Sequence, residues 1–525
     1  MDQSTDIIST GQLCEKCSSI DFEKLFLHGG AFTRVNLDYI QHIVERKHCN
    51  FCRLIAQALQ LSWRELPLQW TLQYGPNDER GWTTCRLTGE WGVVVENAYD
   101  HNCCVVKVDV TDSTDRRFVP DYYDPEIRLL PADGHRLGFA RRIGDVCDFG
   151  LIRSWLERCR LSHPNPDSRK SNVKHMRVID VENMQVIEPP ANCRYAALSY
   201  VWGTDAVCLE ATLTNYEGLE VEGGLEMDAL PLTIQDSILL LKSLGEKYLW
   251  VDRLCIVQDG PHKNEQIAQM VDIYRNAAFT IVAAGVGGAS AHLAGVTSSS
   301  RASSTQSTTV KGLNLVLSTP PLSYVLDNSK WKTRAWTYQE WQFSSRALIF
   351  TPGEVFFMCN CGTRCESLIS QQENVLSRPQ ATNVLGNLDG SADRPEIEIP
   401  RHRITSSNLG MHHATDWLYF IENYTKREMA FPSDVLLAFW STMEEFRRST
   451  GIGLLAGLLE TDLHVALMWR PKVPLRRRDA KTTVVGTNWS LAPYGHENCP
   501  LEHLLEIART HTDSIKQAFL PKTCL

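Results

Sequence analysis

Four of the seventeen cysteines in this 525-residue chain are spaced for metal chemistry. Cys14 and Cys17 form one CxxC pair, Cys49 and Cys52 a second, with 31 residues between the pairs. Each pair can supply half of a tetrahedral thiolate set, which suits Zn2+. Four protein thiolates leave no open coordination position. The expected role is therefore structural, contributing of order 10 kcal/mol of local folding energy at neutral pH. His42 and His48 are spare candidate ligands. The competing reading is that the segment from Cys49 to Ile55 starts an apolar helix and simply buries its sulfurs. Cys147, Cys159, His163 and His175 match no ligand spacing, and ordinary packing is expected of them.

A second group of residues is singled out by its surroundings. Asp252 and Arg253 interrupt the apolar run Tyr248 to Val257, which reads as a strand. A carboxylate inside such a strand needs a partner when buried, and Arg334 or Arg253 could be it. A structural ion pair is the competing role. Trp202-Gly203 closes the apolar run that begins at Arg194. It would stand at the C-terminal end of a strand, where open α/β sheets bind ligands. Trp202, Trp250 and Trp336 can each be core anchors instead. Gln258 can cap the turn after its strand. Gly285-Val286-Gly287-Gly288 follows a strand but opens no convincing helix, so no phosphate loop is expected. There is no Ser/His/Asp order and no HExxH.

The elements that must position these residues follow from periodicity. Leu230-Pro231-Leu232-Thr233 opens a helix with Ile234, Ile238 and Leu241 on one face, and Gly245 stops it. Pro261 opens another, whose apolar residues Ile267, Met270, Val271, Tyr274, Ala277 and Ala278 share one helical face. Phe279 to Ala284 is a further strand. Strand, helix, strand, helix, strand with continuous apolar strands argues a parallel sheet covered on both faces. Asp21 to Gln60 reads as helical, residues 68–115 as strands, and Asp145 to Arg160 as an amphipathic helix burying Ile152, Trp155, Leu156 and Cys159. Trp331 to Trp341 is expected to be a helix. Arg346–Phe350 and Val355–Cys359 form a hairpin turning at Pro352-Gly353. Ten of the thirteen residues from Thr297 to Thr309 are Ser or Thr, a loop composition. Glu366 to Arg403 is polar with scattered Pro and Gly, a long insertion. Thr415 to Phe446 is helical in pattern, broken at Phe431-Pro432-Ser433.

Composition excludes several classes. The chain is 43% hydrophobic and 22% charged, an ordinary globular balance. Its net charge of -9 argues against nucleic-acid binding by bulk charge, and the basic run Arg476-Arg477-Arg478 reads as a solvated turn. Met1 to Leu13 lacks the basic and apolar regions of a secretory signal. Phe279 to Val296 is the best membrane-span candidate, but its four glycines and His292 read as a buried strand and loop. A cytoplasmic protein with no membrane span is expected, with thiols rather than disulfides.

Three segments taken together resemble the fungal heterokaryon-incompatibility (HET) domain. They are Ala197-Leu-Ser-Tyr-Val-Trp-Gly203, Leu249-Trp-Val-Asp-Arg-Leu-Cys-Ile-Val-Gln258, and Arg334-Ala-Trp-Thr-Tyr-Gln-Glu340. The second continues through Met270, Ile273-Tyr274 and Ala277, and the third has Ser345-Arg346 after it. The resemblance covers about residues 190–360. The paired CxxC, the Trp155 to His163 stretch, Tyr424 to Arg427, Pro432-Ser433-Asp434 and Leu467-Met468-Trp469 look similar too. Where many such proteins have Pro-Ser-Trp-Ser-Trp, only Trp489-Ser490 remains, so a truncated or altered C-terminal module is expected.

The resemblance implies a part in non-self recognition, in which fusion of incompatible cells triggers death of the mixed cell. A protein partner or self-assembly follows from that role. HET domains are also distantly similar to TIR domains, some of which cleave NAD at the nicotinamide glycosidic bond with a helix Glu four positions after a Trp. Trp336 and Glu340 have that spacing, and i and i+4 share one helix face. Glu340 and Asp252 are thereby the catalytic candidates. Trp202, Gly203, Arg334 and Trp336 are the residues that would bind the dinucleotide. A carboxylate beside the ribose would stabilise its developing positive charge, and Trp202 could stack the base. The alternative is a non-catalytic interaction module that acts through partner-driven assembly. A zinc hydrolase lacks an open-site ligand set.

The expected organisation is a Cys-rich helical segment over 1–60, an α+β region over 61–175, the HET domain over 176–365, a flexible insertion over 366–410 and a mainly helical region over 411–525. The fold class expected of the HET core is an open, mostly parallel α/β sheet with helices on both faces, remotely TIR-like.

Overall fold

A computed structural model describes residues 12–26, 33–64, 69–73, 86–90, 92–100, 103–111, 117–118, 122–131, 140–162, 173–203, 208–285, 287–298, 300–301, 306–359, 362–369, 417, 420–421, 423–429, 437–455 and 458–461. His163, most of the Glu366–Arg403 insertion, Phe431 to Asp434, Leu467 to Trp469, the Arg476–Arg478 run and Trp489-Ser490 lie outside the described residues.

The chain is mixed α/β, with two principal sheets. The larger has eight strands among the described residues: β1 (Val178–Asp180), β2 (Gln185–Ile187), β3 (Tyr195–Ser199), β4 (Tyr248–Trp250), β5 (Phe279–Ala283), β6 (Arg346–Phe350), β7 (Val355–Cys359) and β8 (Gly362–Cys365). Their order is β8-β7-β6-β5-β3-β4-β1-β2. Pairings β4–β3, β3–β5 and β5–β6 are parallel, whereas β4–β1, β1–β2, β6–β7 and β7–β8 are antiparallel. The expectation of a mostly parallel sheet is corrected to a mixed one. Tight turns, including the one at Pro352-Gly353, join the edge strands, and a tight turn can only reverse direction.

The parallel centre is buried on both faces. Successive residues of β6 go to opposite sides. Leu348 and Phe350 join Ile152, Trp155, Ile234, Ile238 and Tyr274, whereas Ala347 and Ile349 join Leu326, Trp331 and Trp341. Helix Phe149–Ser162 buries the four residues its periodicity selects. Helix Leu232–Leu244 ends at Gly245 with φ 75°, a left-handed cap that costs glycine little. The helix expected across Ile267 to Ala278 is two, Lys263–Ala268 and Met270–Asn276. At the break, Gln269 gives its side chain to the Lys174 N–H and the Glu265 carbonyl. Phe279 to Val296 is a buried strand and loop, and no described helix is long and apolar enough to cross a membrane.

The second sheet is antiparallel, ordered Arg34–Tyr39, Gly92–Asp100, Cys103–Thr111, Glu126–Leu129, Leu313–Leu317, Ser307–Val310, with Arg117–Phe118 beside Cys103–Thr111. Two expectations change here. Helical patterning across residues 21–60 is interrupted by the strand Arg34–Tyr39. There Val35 and Leu37 turn inward between the polar Arg34, Asn36 and Asp38, a period of two that outweighs the helix reading. The Ser/Thr-rich loop runs into strand Ser307–Val310, which turns at Lys311-Gly312, both with positive φ, onto Leu313–Leu317. A segment from between β5 and β6 thus completes the N-terminal sheet. Farther on, helix Leu437–Thr450 packs Phe439, Met443 and Phe446 with Trp417, Phe420 and Tyr424, against Ala335 and Tyr338.

Candidate active site

The strand order of the parallel centre runs β4-β3-β5-β6. The chain leaves β3 to build one neighbour and crosses back to build the other. That reversal is a topological switch point, outside whose strand carboxyl ends open α/β sheets take their ligands. Residues 200–203 follow β3 there, and residues 284–288 follow β5. Gly203 has φ 82°, and a Cβ on Gly288 would stand 3.1 Å from the Gly203 Cα. The two loops therefore meet backbone to backbone.

The expected Trp331–Trp341 helix is two, Lys330–Thr333 and Ala335–Phe343, with Arg334 extended between them. The longer helix is buried along nearly its whole length, because the sheet covers one side and the aromatic residues of 417–446 cover another. Glu340 is only 5% exposed. Its carboxylate accepts a hydrogen bond from the Ser199 hydroxyl at the end of β3. The same hydroxyl accepts the indole N–H of Trp331 at 2.8 Å. Burial, followed by the negative charge of Asp252, pushes Glu340 up to about 7, against the opposing pull of Ser199 and Arg334. The Tyr274 hydroxyl donates to the Leu198 carbonyl at 3.0 Å.

Asp252 does not sit inside a strand. Strand β4 ends at Trp250, and Asp252–Cys255 is one helical turn. Once the chain leaves the sheet edge, the Asp252 carboxylate can accept the Arg253 backbone N–H at 2.7 Å, and Gln258 bonds the carbonyls of Asp252 and Ile256 at 3.0 Å each. Its side-chain partner is likewise corrected. The hydrogen bond comes from the Trp202 indole N–H at 2.7 Å, with Arg334 and Arg253 contributing favourable charge. Burial nonetheless raises Asp252 above the usual carboxylate range. Trp202 is fixed on both counts, because Arg253 lies over its ring 4.5 Å from the centre. The face expected to stack a base is therefore shared with a guanidinium. Arg334 donates to the Tyr200 carbonyl at 3.1 Å, and Arg427 donates to the Arg334 carbonyl at 3.0 Å.

Glu340, Asp252, Trp202 and Arg334 thus converge, whereas Gly203 meets the loop at Gly288. Trp336 does not join them. It packs between the sheet-side cluster and the C-terminal aromatic cluster, without a described hydrogen bond or ring contact to Glu340 or Trp202. Trp250 is a fully buried core anchor, edge-on to Tyr274. Sequence reasoning missed Ser199, Tyr200, Tyr274 and Trp331. The first two lie within the motif that carries the family resemblance and were legible as its polar members. Residues 195–340 match the family model described as Heterokaryon incompatibility protein (HET).

The chain carries a HET domain. The matched segment starts on the first residue of β3 and ends on Glu340. No curated protein and no solved structure matches the chain. The domain's boundaries enclose every residue of the carboxylate centre and leave out the cysteine pairs.

Those pairs come together beside the second sheet. Cys14 caps helix Glu15–Ser18, which carries Cys17, and Cys49 precedes helix Asn50–Ser62, which carries Cys52 in its first turn. All four sulfurs lie within 4.8 Å of one another, with Cys17–Cys52 at 3.5 Å and Cys14–Cys52 at 3.8 Å. A zinc–sulfur bond of about 2.3 Å in tetrahedral geometry puts sulfurs about 3.8 Å apart, so the set fits such an ion. Hydrogen bonds from Cys49 and Cys52 hold the Cys17 thiol far above its ordinary range. Full deprotonation at this spacing therefore calls for a cation. The four cysteines could bind a metal such as zinc, and neither His42 nor His48 belongs to the group.

Proposed function

We propose that this chain is a cell-death effector of heterokaryon incompatibility whose HET domain cleaves the nicotinamide N-glycosidic bond of NAD. The observation that carries the reading is Glu340, a carboxyl held near neutrality at the carboxyl ends of the parallel strands, with Asp252 beside it. Bond cleavage gives the electron pair to the pyridinium nitrogen, which leaves as neutral nicotinamide. The ribose carbon becomes cationic, and water adds to it, releasing a proton. Ionised Glu340 would stabilise that cation, with Asp252 adding negative charge and Trp202 and Arg334 framing the site. The remote TIR resemblance of the Trp336 to Glu340 spacing supports the same chemistry. Four thiolates on zinc would brace the N-terminal helices and take no part in the reaction.

The near-complete burial of Glu340 and its bond to Ser199 favour a second reading. In it the domain is a non-catalytic module that signals by binding a partner or assembling with itself. Full-length protein at high concentration, incubated with NAD beside Glu340→Ala, separates the two. Nicotinamide release that vanishes in the variant supports the glycohydrolase. Absence of release from both, with cell killing retained by both, supports the assembly module.

A further inference from the structure

Two deeply buried donors at the carboxyl ends of the HET domain's parallel strands have no hydrogen-bond partner among the described residues. One is Nε of Arg253, a residue 6% exposed, and the other is the hydroxyl of Tyr200, 3% exposed. Interior donors are nearly always paired, so two orphans in one site call for an acceptor from elsewhere. They belong to one place. Tyr200 follows β3 and Arg253 follows β4, at the same carboxyl ends that gather Asp252 and Glu340. The Tyr200 hydroxyl also feels the charges of Asp252, Arg253, Arg334 and Glu340 together.

The nearest carboxylate does not satisfy Arg253. Asp252 takes the Trp202 indole N–H and the Arg253 backbone N–H, and no described ion pair reaches the guanidinium. Arg253 is instead held face-on to Trp202, whose indole is pinned in turn by Asp252. The guanidinium is thus held in place by Trp202, with no described ion pair of its own. A cationic fork beside a free hydroxyl matches an anionic oxygen group, and guanidinium geometry suits phosphate. We propose that Arg253 and Tyr200 form a phosphate-binding subsite of the HET domain, taking phosphate oxygens of a nucleotide ligand. The subsite deepens the glycohydrolase reading and rests on it for one detail, that the phosphate is the pyrophosphate of NAD.

Calorimetric titration of the full chain with ADP-ribose, and with adenosine as a phosphate-free probe, tests this. ADP-ribose should bind the wild type. Arg253→Gln should weaken it about tenfold or more, Arg253→Lys by less, and Tyr200→Phe about threefold to tenfold. Adenosine affinity should be the same throughout, and Glu340→Gln should still bind ADP-ribose. Tyr200→Phe removes one oxygen and keeps the ring, so it tests the subsite even where an Arg253 variant unfolds. Wild type that binds no ADP-ribose overturns the proposal, as does equal affinity in Arg253→Gln and Tyr200→Phe variants that unfold at the wild-type temperature. Arg253-dependent binding without nicotinamide release keeps the subsite and removes the glycohydrolase. Release with unchanged ADP-ribose affinity in Arg253→Gln does the reverse.

Discussion

The cysteine cluster and the carboxylate centre solve opposite problems of burial. At the cluster, four like groups are brought within 4.8 Å by two short local motifs on two helices. Four thiolates at that spacing repel one another, and a bound cation such as zinc could offset that repulsion. At the carboxylate centre, Glu340 and Asp252 come from elements 88 positions apart in the chain and are already furnished with donors: Ser199, the Trp202 indole and a backbone N–H. The first site could be completed by an ion. The second is built to hold negative charge that burial opposes, which keeps Glu340 near neutrality.

The largest effect should come from breaking the cluster. Cys52→Ser, or a strong chelator, should remove one zinc per chain and cost of order 10 kcal/mol of local stability. Elemental analysis of purified protein and proteolysis of the N-terminal region would show it, and metal-free wild type with unchanged proteolysis would refute it. The carboxylate centre should lose function instead. Glu340→Ala is expected to lower nicotinamide release about 100-fold to 10,000-fold. An equal rate in the variant would remove Glu340 from the reaction.

Acid linkage sharpens the contrast. Glu340 moves from an ordinary 4.5 up to about 7 on folding, so the folded chain holds that proton more tightly. Its contribution to stability is full below about 4.5 and is lost as pH rises through about 7, by about 3 kcal/mol at most. Raised Asp252 changes stability in the same sense. Unfolding in denaturant across pH 4 to 8 should show the decline, and Glu340→Gln, which cannot ionise, should flatten it. Nicotinamide release, which needs the ionised form, should rise over the same interval. A stability profile identical in Glu340→Gln and wild type would contradict the burial argument. The smallest effect is expected from Trp202→Phe. It deletes the indole donor to Asp252 and should cost about 1.5–3 kcal/mol in thermal unfolding, with the metal content unchanged.

Legibility differed for the same physical reason. The cysteine pairs announce themselves because each knuckle is complete within four residues. The HET motifs were equally plain as short segments. Tyr195–Ser199, Leu232–Leu244 with its stop at Gly245, and the Phe149–Ser162 face all follow from local periodicity, and they are where the structure has them. Asp252 was misread because an apolar run looks the same whether it continues a strand or turns into a helix. β4 stops at Trp250, opposite Ala197, although β3 runs on to Ser199, because the chain turns there into the helix Asp252–Cys255.

Residue types and spacing alone determined the paired cysteines, the HET domain and the alternation of strands with helices. Those properties are written in windows of four to twenty residues. Only the tertiary structure decided the strand order β4-β3-β5-β6, the antiparallel edges and the pairing of Ser307–Val310 with the N-terminal sheet. It also decided that Asp252 answers to Trp202, and that Arg253 and Tyr200 stand without acceptors. Pairing and desolvation depend on groups distant in the chain, and no window of sequence contains both partners.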